Sequence, residues 1–180
     1  FAPTGVGAIY IKEKYLKSVK PYQTGGATIN EVEFSGSTLL PSPYMFEAGT
    51  QNIAGVIGFA KALEYLNHIK YENIESIEHK VFAYLDQELA KLPDIIFYND
   101  ISDSLGSRSF NFKGIVHDDI GILLDKMNIA VRVGHHCAQP IMKQLGIKGT
   151  IRVSISFYTD YVDVDKLIEA LKRALSMLKD

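Results

Sequence analysis

The sequence predicts an α/β protein, and three observations carry that prediction. Apolar residues recur at spacings of three and four over several long stretches, β-branched and aromatic residues gather in short runs between them, and Gly or Pro marks the joins. The 180 residues suffice for one substantial core, or for one small domain plus part of another.

Gly5 to Lys12 reads as a short buried strand after the Pro3-Thr4-Gly5 turn. Residues 13–45 hold no sustained period and carry Gly25, Gly26, Gly36, Pro41 and Pro43. They read as a long irregular stretch, which in a compact domain is usually functional or dependent on a partner surface. From Gln51 to about His68 the pattern becomes helical through Ile53, Val56, Ile57, Ala60, Leu63 and Leu66, with Ala54, Gly55 and Gly58 suited to close packing. A second helix is expected from about Asn73 to Leu92 on the stripe Ile74, Ile77, Val81, Leu85 and Leu89, closed by Pro93. Strands follow at Ile95–Tyr98 and near Ser107–Phe112, then a helix from about Asp118 to Met127 and a strand at Ile129–Val133. A loop leads to a short helix that Pro140 can open. A last strand at Thr150–Ser156 precedes a helix with Val164, Leu167, Ile168, Leu171, Leu175 and Leu178 on one face. From Asn73 onward the order is therefore α-β-β-α-β-α-β-α. Each helix has one apolar stripe to bury, so a small sheet with helices packed on it is expected. The organisation is two-part: a leading piece, residues 1–46, and residues 47–180, a linking helix with a compact domain.

Composition bounds the function. With 47% hydrophobic and 22% charged residues the chain is ordinary for a globular protein, and a net charge of −2 gives no reason to expect a nucleic-acid or anionic-membrane partner. The longest apolar run, Ile53 to Ala60, is too short to span a bilayer. Phe1 opens the chain without Met, and neither a basic stretch nor an apolar leader follows, so a chain cut from something longer is expected rather than a signal peptide. One cysteine allows no internal disulfide, and a reducing, cytoplasmic setting is expected.

The stretch richest in chemistry is Arg132-Val133-Gly134-His135-His136-Cys137-Ala138-Gln139-Pro140. A strand ends, glycine allows a turn, and two histidines precede the single cysteine. Thiolate is the reactive form of cysteine, and nearby imidazolium or guanidinium favours it. An activated nucleophile and a small inert core residue both stay open for Cys137. Zinc is a poorer fit, because consecutive side chains cannot easily converge on one tetrahedral ion. His117, Asp118 and Asp119 resemble a ligand cluster but suit a helix start better. Arg132 and Arg152 each lie among apolar neighbours in a strand; either a substrate carboxylate or an internal ion pair would satisfy such a guanidinium. Phe46-Glu47-Ala48-Gly49-Thr50 stands before the long helix, where Thr50 suits a phosphate or a plain N-cap.

These motifs together resemble the group II (SUF-type) cysteine desulfurases and their kin the selenocysteine lyases, which are class V aminotransferase-like enzymes of fold type I. Besides Arg132 to Pro140, the matches are Pro3-Thr4-Gly5-Val6-Gly7, Phe46 to Thr50, His117-Asp118-Asp119-Ile120, Ile151-Arg152-Val153-Ser154 and Tyr158-Thr159. The resemblance covers essentially the whole chain. It implies the end of a large cofactor domain in residues 1–46, and in 47–180 a small α+β domain whose short sheet is covered by helices. It implies pyridoxal 5′-phosphate as cofactor, L-cysteine or L-selenocysteine as substrate, a sulfur-acceptor protein, a homodimer, and a place in iron–sulfur cluster assembly. Cys137 matches the nucleophile that takes the substrate sulfur as a persulfide and releases alanine. His136 matches a histidine beside it, Arg152 the arginine holding the substrate carboxylate, and Arg132 the one before the active-site loop. Thr50 matches a threonine that reaches the cofactor phosphate of the other subunit.

Some family residues have no counterpart here. The lysine that anchors the cofactor precedes the Pro-Thr-Gly turn and is absent from this chain, as are a ring-stacking histidine and an aspartate further upstream. Lys12 and Lys14 follow the strand and are no substitutes. The expectation is that these 180 residues alone neither bind the cofactor covalently nor turn over cysteine. Gln23-Thr24-Gly25-Gly26 replaces a longer glycine run, and Val153 and Thr159 stand where Ala and Asn are usual. Two other readings stay open: another class V lyase or aminotransferase that does not use the cysteine, and a non-catalytic interaction or dimerisation module with an inert, buried Cys137.

Overall fold

The computed structural model describes residues 1–98 and 106–179, and the chain divides into two compact units, Phe1–Ile69 and Lys70–Asp180. The first unit holds a one-turn helix α1 (Glu13–Leu16), strands β1 (Ile29–Glu33) and β2 (Gly36–Leu39), a 3-10 turn at Tyr44–Phe46 and the long helix α2 (Ile53–Ile69). β1 and β2 form an antiparallel hairpin closed by Phe34 and Ser35, since Glu33 faces Gly36. Ahead of it the buried Thr28 hydroxyl donates to the Gly25 carbonyl at 2.8 Å and accepts the Gly25 N–H at 2.9 Å.

The strand expected at Gly5–Lys12 does not form. Ile9 and Tyr10 are 90% and 86% exposed, and among the described residues β1 and β2 pair only with each other. Alternating or continuous apolarity marks a segment fit for a sheet, but a strand exists only where a neighbour completes its ladder. Thr50 is likewise not the helix cap. Asn52 is: its Oδ1 accepts the Gly55 N–H at 3.0 Å, and its Nδ2 donates to the Gly5 carbonyl at 3.0 Å. Gly58 lies against Pro3 so closely that a Cβ there would stand 2.6 Å from the proline ring. These contacts tie α2 to the opening turn, so as a packing unit α2 goes with the leading piece, whereas the sequence reading joined it to the C-terminal part.

The second unit contains α3 (Tyr71–Leu89), β3 (Ile95–Phe97), β4 (Ser107–Phe112), α4 (His117–Lys126), β5 (Arg132–Gly134), α5 (Gln139–Leu145), β6 (Thr150–Ser154) and α6 (Tyr161–Lys179), in the expected order. β5 is shorter and starts later than expected. Asn128 adopts a left-handed φ of 60° and the Ile129 N–H still bonds the Leu124 carbonyl at 2.9 Å, so α4's C-terminal cap consumes the residues that looked like strand. The four strands form an antiparallel sheet in the order β3-β4-β6-β5.

Alternation divides the sheet. Phe110, Phe112, Ile151 and Val153 join the core with Leu85 and Leu89 of α3, Ile120 and Leu124 of α4, and Val164, Leu167, Ile168 and Leu171 of α6. The opposite face carries Ser107, Ser109 and Asn111 from β4, Thr150 and Arg152 from β6, and Arg132 from β5. One charge lies on the core side: Arg108, whose Nε is 2.7 Å from Asp86 Oδ1 of α3, off the hydrogen-bond line, while its guanidinium stacks 4.1 Å from the Phe97 ring. Breaking a buried pair leaves one charge uncompensated. Asp86→Ala is therefore expected to destabilise the C-terminal unit by about 3–5 kcal/mol in urea unfolding, with part regained in an Asp86→Leu/Arg108→Met double variant. Among the described residues no helix is long and apolar enough to cross a membrane.

Candidate active site

The polar face of the sheet becomes a site because of its register. Arg132 of β5 stands directly opposite Arg152 of β6, and Arg152 is flanked on its other side by Ser109. Like charges facing across a ladder oppose sheet formation. No carboxylate among the described residues pairs with either guanidinium, and Arg152 Nε is buried without a hydrogen-bond partner. Among the described residues, neither guanidinium takes up the internal ion pair that the sequence left open. Two cations held side by side, with a buried donor unspent, fit an anionic ligand.

The loop after β5 presents the cysteine to this charge. Gly134 takes φ 107°, and His136 and Cys137 take φ 55° and 60°, two successive non-glycine residues in the left-handed region. Such a conformation costs on the order of 1 kcal/mol or more per residue and persists only where neighbours impose it. Here the Cys137 N–H donates to His135 Nδ1 at 3.1 Å and the Ala138 N–H to the His135 carbonyl at 2.8 Å. α5 starts at Gln139, with Pro140 in its first turn. The result is a free, exposed thiol whose Sγ lies 3.6 Å from Arg132 Nη2. An inert, buried Cys137 is excluded, and with it the form of the interaction-module reading that required one.

His136 points back toward the sheet. Its Nε2 is 2.8 Å from Thr150 Oγ1, while its Nδ1 is buried and has no partner. Burial first, then the charges of Arg152 and Arg132, hold its pKa below the ordinary 6.5. His136 is thus a neutral imidazole at pH 7 and not a cation lending charge to the sulfur. Because its folded pKa lies below the unfolded one, the unfolded state binds the extra proton as pH falls. Stability is expected to drop progressively below about pH 6.5, and His136→Gln to flatten that drop, as read from urea midpoints at a series of pH values.

Several residues that frame the site were not singled out from the sequence. Gly149 lets β6 start against the loop: a Cβ there would stand 2.5 Å from His117 Nε2 and 2.7 Å from the Gly134 carbonyl carbon. Asn111 Nδ2 donates to the Gly149 carbonyl at 2.9 Å. The only local sign was a Gly-Thr step ahead of a strand. His117 is the first residue of α4, with Val116 as cap and Asp118 and Asp119 in the first turn, where they complement the helix dipole. Among the described residues no group of three His, Cys, Asp or Glu could hold a metal ion. In the first unit, Thr50 is exposed and its hydroxyl makes no hydrogen bond among the described residues. The preceding Gly49 adopts φ 82° and spends its N–H on the Gly26 carbonyl at 2.8 Å, so that amide is not free for a phosphate.

The family model for class V aminotransferases matches residues 1–167. The chain belongs to the class V aminotransferase family. Among class V relatives, the cysteine desulfurase CsdA of Escherichia coli K12 is 39% identical over 180 residues, covering 100% of this chain and 44% of that enzyme. A cysteine desulfurase of Wigglesworthia glossinidia brevipalpis is 38% identical over 99% of this chain and 44% of its own length. The chain thus spans less than half the length of these relatives. Among solved class V structures, E. coli CsdA in an S-sulfonic acid form superposes with a TM-score of 0.91 at 38% identity, over 98% of this chain and 44% of that one. The apo cysteine desulfurase of Thermococcus onnurineus NA1 gives 0.92 at 37%, over 97% and 44%. The lyase C-DES, with glycine covalently linked to its PLP cofactor, gives 0.72 at 21% identity over 90% of this chain and 40% of that one, which supports the fold alone.

Proposed function

We propose that the whole protein is a pyridoxal 5′-phosphate-dependent cysteine desulfurase, homodimeric and cytoplasmic, that moves sulfur from L-cysteine to Cys137 and on to an acceptor protein in iron–sulfur cluster assembly. The observation that carries this reading is the exposed Cys137 thiol beside Arg132, on a face where neither Arg132 nor Arg152 pairs with a carboxylate among the described residues. In this reading residues 1–46 close the large domain and residues 47–180 supply the linking helix and small domain.

The residues present fit such a cofactor and substrate. Thr50, with its unspent hydroxyl, would hold a phosphate oxygen. Arg152 offers a fork of donors to the substrate carboxylate, and its buried Nε gains the acceptor it lacks. Bound pyridoxal 5′-phosphate supplies an electron sink that lets the substrate carbon–sulfur bond break. Cys137 does the rest of the sulfur chemistry. Its sulfur attacks the substrate sulfur, a sulfur–sulfur bond forms as the carbon–sulfur bond breaks, and the carbon gains a proton to leave as alanine. Arg132 offsets negative charge on the attacking sulfur and, afterwards, on the terminal sulfur of the persulfide. His136 stays neutral beside them as a hydrogen-bonding group and keeps a third positive charge out of the site.

Incubating the whole enzyme with L-cysteine should release alanine, with sulfide appearing when a thiol acceptor is added. Alanine release from kynurenine but not from cysteine or selenocysteine would sink this reading in favour of another class V lyase.

A further inference from the structure

β5 ends at Gly134 and α5 begins at Gln139, so the four residues His135 to Ala138 are the whole connection between two anchored elements. The His135 carbonyl accepts the Ala138 N–H at 2.8 Å, while His136 and Cys137 between them take φ 55° and 60°. A four-residue turn with positive φ at both central positions has the type I′ pattern, which ordinarily calls for Asn followed by Gly. Here neither central residue is glycine. Histidine is among the side chains enriched in the left-handed region, and cysteine is not. His136 is also tied by its own ring, whose Nε2 is 2.8 Å from Thr150 Oγ1. Cys137 is tied through its backbone: its N–H donates to His135 Nδ1 at 3.1 Å.

A backbone N–H only donates, so His135 Nδ1 presents a lone pair and the neutral ring keeps its proton on Nε2. Nδ1 stands two bonds beyond Cβ, where an asparagine carries Oδ1. The contact is therefore an imidazole version of the Asx turn, in which a side-chain acceptor takes the N–H two residues on. We propose that His135 is a positioning residue whose Nδ1, by holding the Cys137 N–H, keeps this turn closed and the Cys137 sulfur beside Arg132. Sγ and Arg132 Nη2 are 3.6 Å apart and both side chains are exposed, so the turn, rather than burial, aims the sulfur. The inference rests on the desulfurase reading for the reaction that this aim serves. The turn and its hydrogen bond belong to the chain whatever the reaction.

Three variants of the whole enzyme separate the two ring nitrogens. His135→Asn keeps an acceptor where Nδ1 stands, His135→Gln keeps one only where Nε2 stands, and His135→Ala keeps neither. Single-turnover alanine formation over a range of L-cysteine concentrations gives each a maximal rate and a half-saturating concentration. The maximal rate should fall about ten- to a hundredfold in the Gln and Ala variants, the cost of a misplaced reacting group, and stay within about threefold of the parent in the Asn variant. The half-saturating concentration should move by less than about twofold in all three, because the turn does not hold the substrate carboxylate. An active Gln variant beside an impaired Asn variant overturns the proposal, since Nε2 would then be the working atom. A loss shared by all three variants, a loss in none, or a loss confined to the half-saturating concentration overturns it as well. If the Ala variant does not fold, the Asn and Gln variants still decide. The desulfurase reading fails separately, if the unsubstituted enzyme releases no alanine from L-cysteine. Crystal structures of the same variants then read the turn: the sulfur should stay beside Arg132 in the Asn variant and leave it in the Gln variant, and a Gln variant that keeps the contact overturns the proposal.

Discussion

Cys137→Ala in the whole enzyme is expected to lower sulfur transfer to a thiol acceptor by roughly a thousandfold or more, since in the proposed reading Cys137 Sγ is the atom that takes up the substrate sulfur. The fold should not notice. Cys137 is exposed and its side chain fills no cavity, so thermal stability is expected to stay within about 0.5 kcal/mol of the parent. The measurement is sulfide released per enzyme in the presence of a dithiol, with circular dichroism as the control. A loss of activity accompanied by unfolding would assign Cys137 a structural role, and an unchanged rate would remove it from the mechanism.

Arg152→Met has the second largest expected effect, and its sign differs between function and stability. In the proposed reading, losing the guanidinium fork removes a charge-assisted contact to the substrate carboxylate, so KM for L-cysteine should rise about a hundredfold or more. The same change removes the repulsion between Arg152 and Arg132 across the ladder and the orphaned Nε. The melting temperature should therefore hold or rise. Arg152→Lys restores the charge but not the fork and should fall between the two in KM. A destabilised Arg152→Met enzyme with normal KM would mean that the guanidinium supports the sheet rather than the substrate.

Much of the C-terminal unit was legible because its helices announce themselves through local periodicity. Val164, Leu167, Ile168, Leu171 and Leu175 recur on one face of α6 and are all buried in the core. The same holds for Val81, Leu85 and Leu89 on α3. The cysteine loop was legible for a different reason: Gly134, two histidines and a lone cysteine are a rare neighbourhood, and their order along the chain is their order in the turn. What escaped is what depends on distant partners. Nothing local says that Arg132 and Arg152 will face each other, or that the ion pair will fall to Arg108 instead. Gly149 and Thr150 matter through Gly134 and His136, more than ten positions away in sequence. Gly5–Lys12 has strand composition without a ladder, and the capping role that Thr50 suits by type belongs to Asn52, two residues later.

The most direct test is the mass of one peptide. The whole enzyme is mixed with a single equivalent of L-cysteine, quenched with an alkylating agent and digested. The tryptic fragment holding Cys137 should carry one additional sulfur atom, in amounts matching the alanine formed. Alanine produced while that fragment keeps an ordinary alkylated thiol would contradict the account at its centre.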